Sequence, residues 1–85
     1  MRPEVGKAYL GWDGCVRWFT HRSQRGYLHC LWRDAEGRWH NGGSYLPGRI
    51  DFGKMMSGGE VEAPKTGDKI QRMGVYGTVI DDVVR

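Results

Sequence analysis

Lys7-Ala8-Tyr9-Leu10-Gly11-Trp12-Asp13-Gly14-Cys15-Val16-Arg17-Trp18-Phe19-Thr20 is a pair of short apolar runs broken by Asp-Gly. Asp13-Gly14 suits a type I′ turn, whose two central residues need positive φ. Glycine adopts that region freely and aspartate tolerates it. A two-residue loop predicts a hairpin of Lys7–Trp12 with Cys15–Thr20 and fixes its register. Trp12 then faces Cys15, Leu10 faces Arg17, and Ala8 faces Phe19 on one side. Gly11 faces Val16, Tyr9 faces Trp18, and Lys7 faces Thr20 on the other. The first side is the more apolar and is expected to meet the core. The second then displays a Tyr9–Trp18 cross-strand pair. The reversed assignment exposes Trp12 and Phe19 instead. Either way, one side leaves aromatic surface to be covered.

The polar stretch His21–Gly26 reads as a loop. A second hairpin follows, Tyr27–Arg33 with Arg38–Asn41, around Asp34-Ala35-Glu36-Gly37. Asp suits the first position of a type I turn, and Gly suits the left-handed residue that closes a three-residue loop. That loop sets Asp34 opposite Arg38, an attractive pair, where a four-residue loop would oppose Arg33 and Arg38. Leu28, Cys30 and Trp32 share one face as a core row, and Tyr27, His29, Leu31 and Arg33 share the other.

Beyond Asn41 the chain is turn-rich. Phe52, Met55 and Met56 have the i, i+3, i+4 spacing of one helical turn within Ile50–Met56. Ser57-Gly58-Gly59 ends it. Glu60–Ala63 reads as an edge strand stopped by Pro64. The last segment, Gly67-Asp68-Lys69-Ile70-Gln71-Arg72-Met73-Gly74-Val75-Tyr76-Gly77-Thr78-Val79-Ile80, has a Gly-Asp opening, a Gly-containing turn and a Gly-Thr-Val return. It resembles the KOW-type hairpin of Src-homology-3-like small barrels, over about one sixth of the chain. The resemblance implies a small barrel of the kind that often serves ribosomal, transcription or other nucleic-acid-associated proteins. The basic turn of that family is missing, because Gly74-Val75-Tyr76-Gly77 has no cation.

Composition bounds the function classes. Eighty-five residues are expected to form a single small β-barrel domain over 1–85. A chain this short buries only about 60% of its unfolded surface, so its core is thin. Four tryptophans, each burying roughly 150–250 Å² when covered, exceed what such a core hides easily. The formal net charge is +3, unevenly spread. Residues 1–55 hold nine Lys/Arg against five Asp/Glu, and residues 56–85 hold four against five. The aromatic half is thus also the basic half, which favours acidic partners, whether nucleic acid or an acidic protein surface. Met1-Arg2-Pro3-Glu4 leads into no apolar run of signal-peptide length, and no stretch approaches a membrane span. A cytoplasmic location and no membrane partner are the expectations.

Catalytic and metal chemistry find little support. The metal donors Cys15, Cys30, His21, His29 and His40 show none of the tight Cys or His pairs of structural zinc. His29 and Cys30 are neighbours on a strand and point to opposite faces. Two small, largely buried thiols are the plainer reading. A Cys15–Cys30 disulfide stays geometrically open if the hairpins pack together, although a cytosolic chain keeps its thiols reduced. Neither cysteine has the basic partner and helix N-terminus of an activated nucleophile. Asp81-Asp82 reads as a solvated strand edge that discourages strand addition. Gly42-Gly43 and Gly58-Gly59 are turns without the strand–loop–helix context of a phosphate loop.

The remaining constellation is aromatic plus cationic: Lys7, Tyr9, Arg17, Trp18, Arg22, Arg25, Tyr27, His29 and Arg33. Rings beside cations suit single-stranded nucleic acid, because bases stack on the rings while Arg and Lys follow the phosphates. Trp, Tyr and Arg also mark protein–protein hot spots. The expectation is an all-β, small, partly open barrel of about five strands with one short helical turn near residues 50–56. Its core candidates are Leu10, Trp12, Leu28, Cys30, Trp32, Ile70 and Val79. It is expected to be a non-catalytic binding domain for nucleic acid or a nucleic-acid-handling complex. The alternatives are a protein-binding inhibitor or adaptor of a mobile genetic element, and a self-associating structural protein. No enzyme activity, cofactor, metal or small-molecule substrate is expected.

Overall fold

The structure is a computed structural model and describes residues 2–85. Its strands are β1 (Ala8–Leu10), β2 (Val16–Arg22), β3 (Leu28–Arg33), β4 (Trp39–Tyr45), β5 (Glu60–Val61), β6 (Lys69–Met73) and β7 (Val79–Val83). They form one curled sheet, a half-barrel, in the order β5-β1-β2-β3-β4-β6-β7. Neighbours pair antiparallel except β4 and β6, which meet in parallel at Trp39 and Arg72. The expected all-β, partly open barrel is thus built from seven strands. A single 3-10 turn at Lys54–Met56 falls where the Phe52/Met55/Met56 spacing placed it. No helix among the described residues is long and apolar enough to cross a membrane.

Four of the connections are one turn repeated. In Gly11–Cys15, Ser23–Tyr27, Asp34–Arg38 and Gly74–Thr78, the first residue donates its N–H to the fifth residue's carbonyl and accepts from the fourth residue's N–H. The fourth residue is always glycine: Gly14, Gly26, Gly37 and Gly77, with φ of 77°, 88°, 84° and 77°. This is the three-residue loop closed by a left-handed glycine. It was expected at Asp34–Gly37, and Arg33 does pair with Trp39, leaving Asp34 opposite Arg38.

The first hairpin corrects the expected register. The observed pairs are Ala8 with Trp18, Tyr9 with Arg17, and Leu10 with Val16, one residue off the type I′ arrangement. A type I′ turn would have forced Asp13 to positive φ, and among the described residues none other than glycine adopts it. Asp13 instead accepts the N–H of Cys15 at 3.1 Å and a bidentate pair from Arg17 at 3.0 and 2.8 Å. A slip of one residue exchanges the faces. Tyr9, expected outside, is therefore buried, and Trp12, expected in the core, is 58% exposed.

Two apolar clusters lie on opposite faces of the sheet. Tyr9, Phe19, Leu28 and Cys30 form the outer cluster, covered by the crossover through Ile50, Phe52, Met55 and Met56. Phe52 meets Phe19 and Tyr45 edge-on, with ring centroids 5.9 and 6.2 Å apart. Ala8, Val16 and Trp39 form the inner cluster with Leu10, Trp18, Leu31, Val61, Ala63 and Ile70. There the two ends of the sheet curl towards one another, and a groove of about 700 Å³ opens between Ala63-Pro64 and Ile70 with Trp39 behind it. Leu28 and Cys30 are buried as expected, while Leu10, Trp32 and Ile70 are half-buried and Val79 is exposed. Val79 lies on β7, the last strand in the sheet order, and is 45% exposed. Trp39 takes the buried indole's place in the core.

Candidate nucleic-acid interface

Two bulges at one level shape the sheet's upper end. On β2, Phe19 pairs with Cys30 and His21 with His29, so Thr20 is an extra residue. On β4, Asn41 pairs with Leu31 and Ser44 with His29, so Gly42 and Gly43 share the place opposite Cys30. Gly43 has φ of 85° and donates its N–H to Asn41 Oδ1 at 3.0 Å. A Cβ at Gly42 would lie 2.7 Å from Cys30 Sγ and 3.0 Å from its carbonyl oxygen, so the close approach requires glycine. A bulge bends its strand and re-aims the side chains beyond it.

The re-aimed side chain is His21. Strict alternation from Phe19 would put it on the outer face. The extra residue turns it inward, where its ring stacks on His29 with centroids 4.4 Å apart and planes 6° apart. Thr20 Oγ1 lies 3.0 Å from His21 Nδ1 and donates to the His29 carbonyl at 3.4 Å. His21 is exposed and His29 half-buried. Arg22 pairs with Leu28 on the far side of the strand and is exposed, as are Arg25 in the Ser23–Tyr27 turn and Tyr27 just after it. Ser23 Oγ accepts the Tyr27 N–H at 3.2 Å and fixes that turn.

Charge divides the sheet lengthwise. Residues 14–33 contain no carboxylate, and neither do residues 37–50. These stretches supply β2, β3 and β4 over their full length and the turn between β2 and β3 at the upper end. The lower end carries Asp13, Asp34 and Glu36 in its two turns. Two of its side chains are held by these carboxylates. Arg38 lies 3.5 Å from Asp34 and 3.4 Å from Glu36. His40, stacked on Trp32 at 4.2 Å, has Nε2 2.7 Å from Asp34 Oδ2. That hydrogen bond, with backbone N–H donors from Arg38 and Glu36, holds the Asp34 carboxyl at about 2. At the upper end Arg22, Arg25, His21 and His29 form no ion pair among the described residues.

The expected binding set is thereby divided. Trp18, His29 and Arg33 share the inner face: Trp18 meets Trp39 edge-on at 5.7 Å, and the Arg33 guanidinium lies 5.6 Å from the Trp39 ring centroid. Arg22, Arg25 and Tyr27 gather at the upper end. The other three are committed elsewhere. Tyr9 is 6% exposed and its hydroxyl accepts the Glu4 N–H at 3.0 Å. Arg17 is locked to Asp13 at 2.8 Å and lies over Trp12 at 4.8 Å, clamping the first turn. Lys7 bridges Glu4 at 2.8 Å and Glu60 at 3.4 Å, and hydrogen bonding to Glu4 raises its pKa. The expected loop His21–Gly26 begins two residues too early, because His21 and Arg22 end β2, and nothing in Phe-Thr-His marks the Thr20 bulge that turns His21 inward.

Both cysteines are free thiols, and burial pushes Cys30 up to about 11. Among the described residues, no three of His, Cys, Asp and Glu converge on a common point. No protein-family model, no curated protein and no solved structure matches this chain.

Proposed function

We propose that the chain is a non-catalytic nucleic-acid-binding module that contacts its ligand with the upper end of the half-barrel. One observation carries this reading: β2, β3 and β4 lie wholly within the carboxylate-free stretches 14–33 and 37–50, and at their upper end His21, Arg22, Arg25 and His29 form no ion pair among the described residues. A cationic surface kept clear of acids attracts a polyanion by long-range field and by counterion release. Tyr27, the histidine stack and half-buried Trp18 add rings on which bases stack. The half-barrel, with β6 and β7 joined at Gly74–Thr78, supports a Src-homology-3-like barrel whose Gly67–Ile80 segment is KOW-like. Electrophoretic mobility shift with single- and double-stranded DNA and RNA at low salt tests the proposal. A retarded band with any of them supports it, and four unshifted probes overturn it.

A second reading has its own observation. At the tip of the β6–β7 hairpin, Val75 is 94% and Tyr76 93% exposed, beside exposed Val79 and Ile80. An apolar tip of this kind suits an inhibitor or adaptor that docks on another protein. A protein captured from nuclease-treated bacterial lysate by the wild type but not by V75D/Y76D supports that reading; capture unchanged by the substitutions overturns it.

A further inference from the structure

We infer that His21 and His29 form a proton-linked phosphate site within this interface, an inference that rests on the nucleic-acid reading and adds its regulation. Three independent features converge on the pair. The Thr20 bulge is what brings His21 to His29's face. The rings then stack nearly parallel at 4.4 Å, a distance at which two neutral imidazoles attract and two cations repel. No carboxylate is present to hold the charged form, in contrast to His40 with Asp34 at 2.7 Å. The three histidines thus sit in two environments: His40 has a carboxylate at hydrogen-bond distance, and His21 and His29 have none among the described residues.

The charged and titratable groups on neighbouring elements are few. Arg22 on β2, Arg25 in the turn and Tyr27 before β3 flank the pair. Tyr45 on β4 belongs to the outer cluster. Glu4 and Lys7, in the segment entering β1, are paired with one another at 2.8 Å. Arg22 and Arg25 at this end form no ion pair among the described residues, and their charge favours a bound anion. A phosphodiester along the exposed ring edges accepts an N–H from each imidazolium in a charge-assisted hydrogen bond and removes the repulsion between them. Protonation and phosphate binding then reinforce one another, as linkage requires. Histidine is the side chain whose ordinary titration spans pH 5 to 8, so the coupling acts across the physiological range.

The test is the affinity for a fluorescein-labelled single-stranded oligonucleotide at constant ionic strength, from about pH 8 to about pH 5.5. The wild type is expected to bind about ten-fold more tightly at the acidic end, by uptake of one or more protons. H21Q/H29Q should bind more weakly than the wild type even at the alkaline end, because two stacking rings are gone, and should lose the slope. R22Q/R25Q should weaken binding at every pH and keep the slope. An equal slope in H21Q/H29Q, or none in the wild type, overturns the site. A wild-type measurement guards against a misfolded variant: inorganic phosphate should raise the NMR titration midpoints of both imidazole Cε1–H signals, and midpoints indifferent to phosphate overturn the site. Oligonucleotide binding without a pH slope removes this inference alone. Phosphate-sensitive imidazoles without oligonucleotide binding remove the nucleic-acid reading and leave an anion site.

Discussion

Nε2 of His40 lies 2.7 Å from Oδ2 of Asp34, across the mouth of the β3–β4 turn. The other oxygen of that carboxylate accepts the N–H groups of Glu36 and Arg38, both at 2.9 Å. One aspartate thus satisfies the turn's backbone and holds the imidazole beside it by a hydrogen bond.

Acid stability should report this arrangement. The Asp34 carboxyl is held at about 2 against an ordinary 3.8, first by the hydrogen bond with His40. A lowered folded-state value contributes stability above the unfolded value and loses it as pH falls through the folded one. The contribution is therefore complete above about pH 4 and fades towards about pH 2. Asp13, lowered to about 2 chiefly by hydrogen bonding with Arg17, acts in the same direction. Urea unfolding of D34N should show lower stability at neutral pH and a shallower decline between those limits. An undiminished acid decline in D34N would count against the arrangement.

Gly42 should tolerate no Cβ. In Gly42→Ala the new methyl would lie 2.7 Å from Cys30 Sγ and 3.0 Å from a backbone oxygen that cannot rotate away. Overpacking of this kind costs typically about 1–3 kcal/mol. Chemical denaturation should place G42A in that range, while Gly48→Ala, with open space around its Cα, should stay close to wild type. Equal stabilities for the two variants would show that the β4 bulge is not packed against Cys30.

Thiol labelling should separate the two cysteines. Cys30 is 2% exposed and burial raises its pKa to about 11, whereas Cys15 is half-buried beside the first turn. The thiolate is the reactive form. A disulfide reagent near neutral pH should therefore modify Cys15 quickly and Cys30 only on unfolding. Two equally fast thiols in the native protein would contradict the outer cluster as described.

The sequence made the turns and strands legible, because each turn is marked by local chemistry. Asp34-Ala35-Glu36-Gly37 needed only its glycine and its aspartate to be read correctly. Asp13-Gly14 misled because the dipeptide suits two loops of different length, and here Gly14 closes the three-residue one between Gly11 and Cys15. The one-residue shift in register goes with Tyr9 inside and Trp12 outside. The outer cluster was hidden for a related reason: Phe52 is distant in sequence from Phe19, and nothing local announces their contact. At the candidate site, Arg22, Arg25, Tyr27 and His29 were legible as polar or aromatic surface. His21 was not, since a bulge depends on the pairing of three strands.

Salt dependence of oligonucleotide binding tests the central proposal most directly. Fluorescence anisotropy gives the dissociation constant of a single-stranded probe across a series of salt concentrations. Each phosphate neutralised should contribute about −0.7 to the slope of log affinity against log salt for a single strand. Wild type should show a clear negative slope, and R22E/R25E should flatten it while weakening binding. Affinity indifferent to salt, or a slope unchanged in R22E/R25E, would contradict an interface at the carboxylate-free end of the sheet.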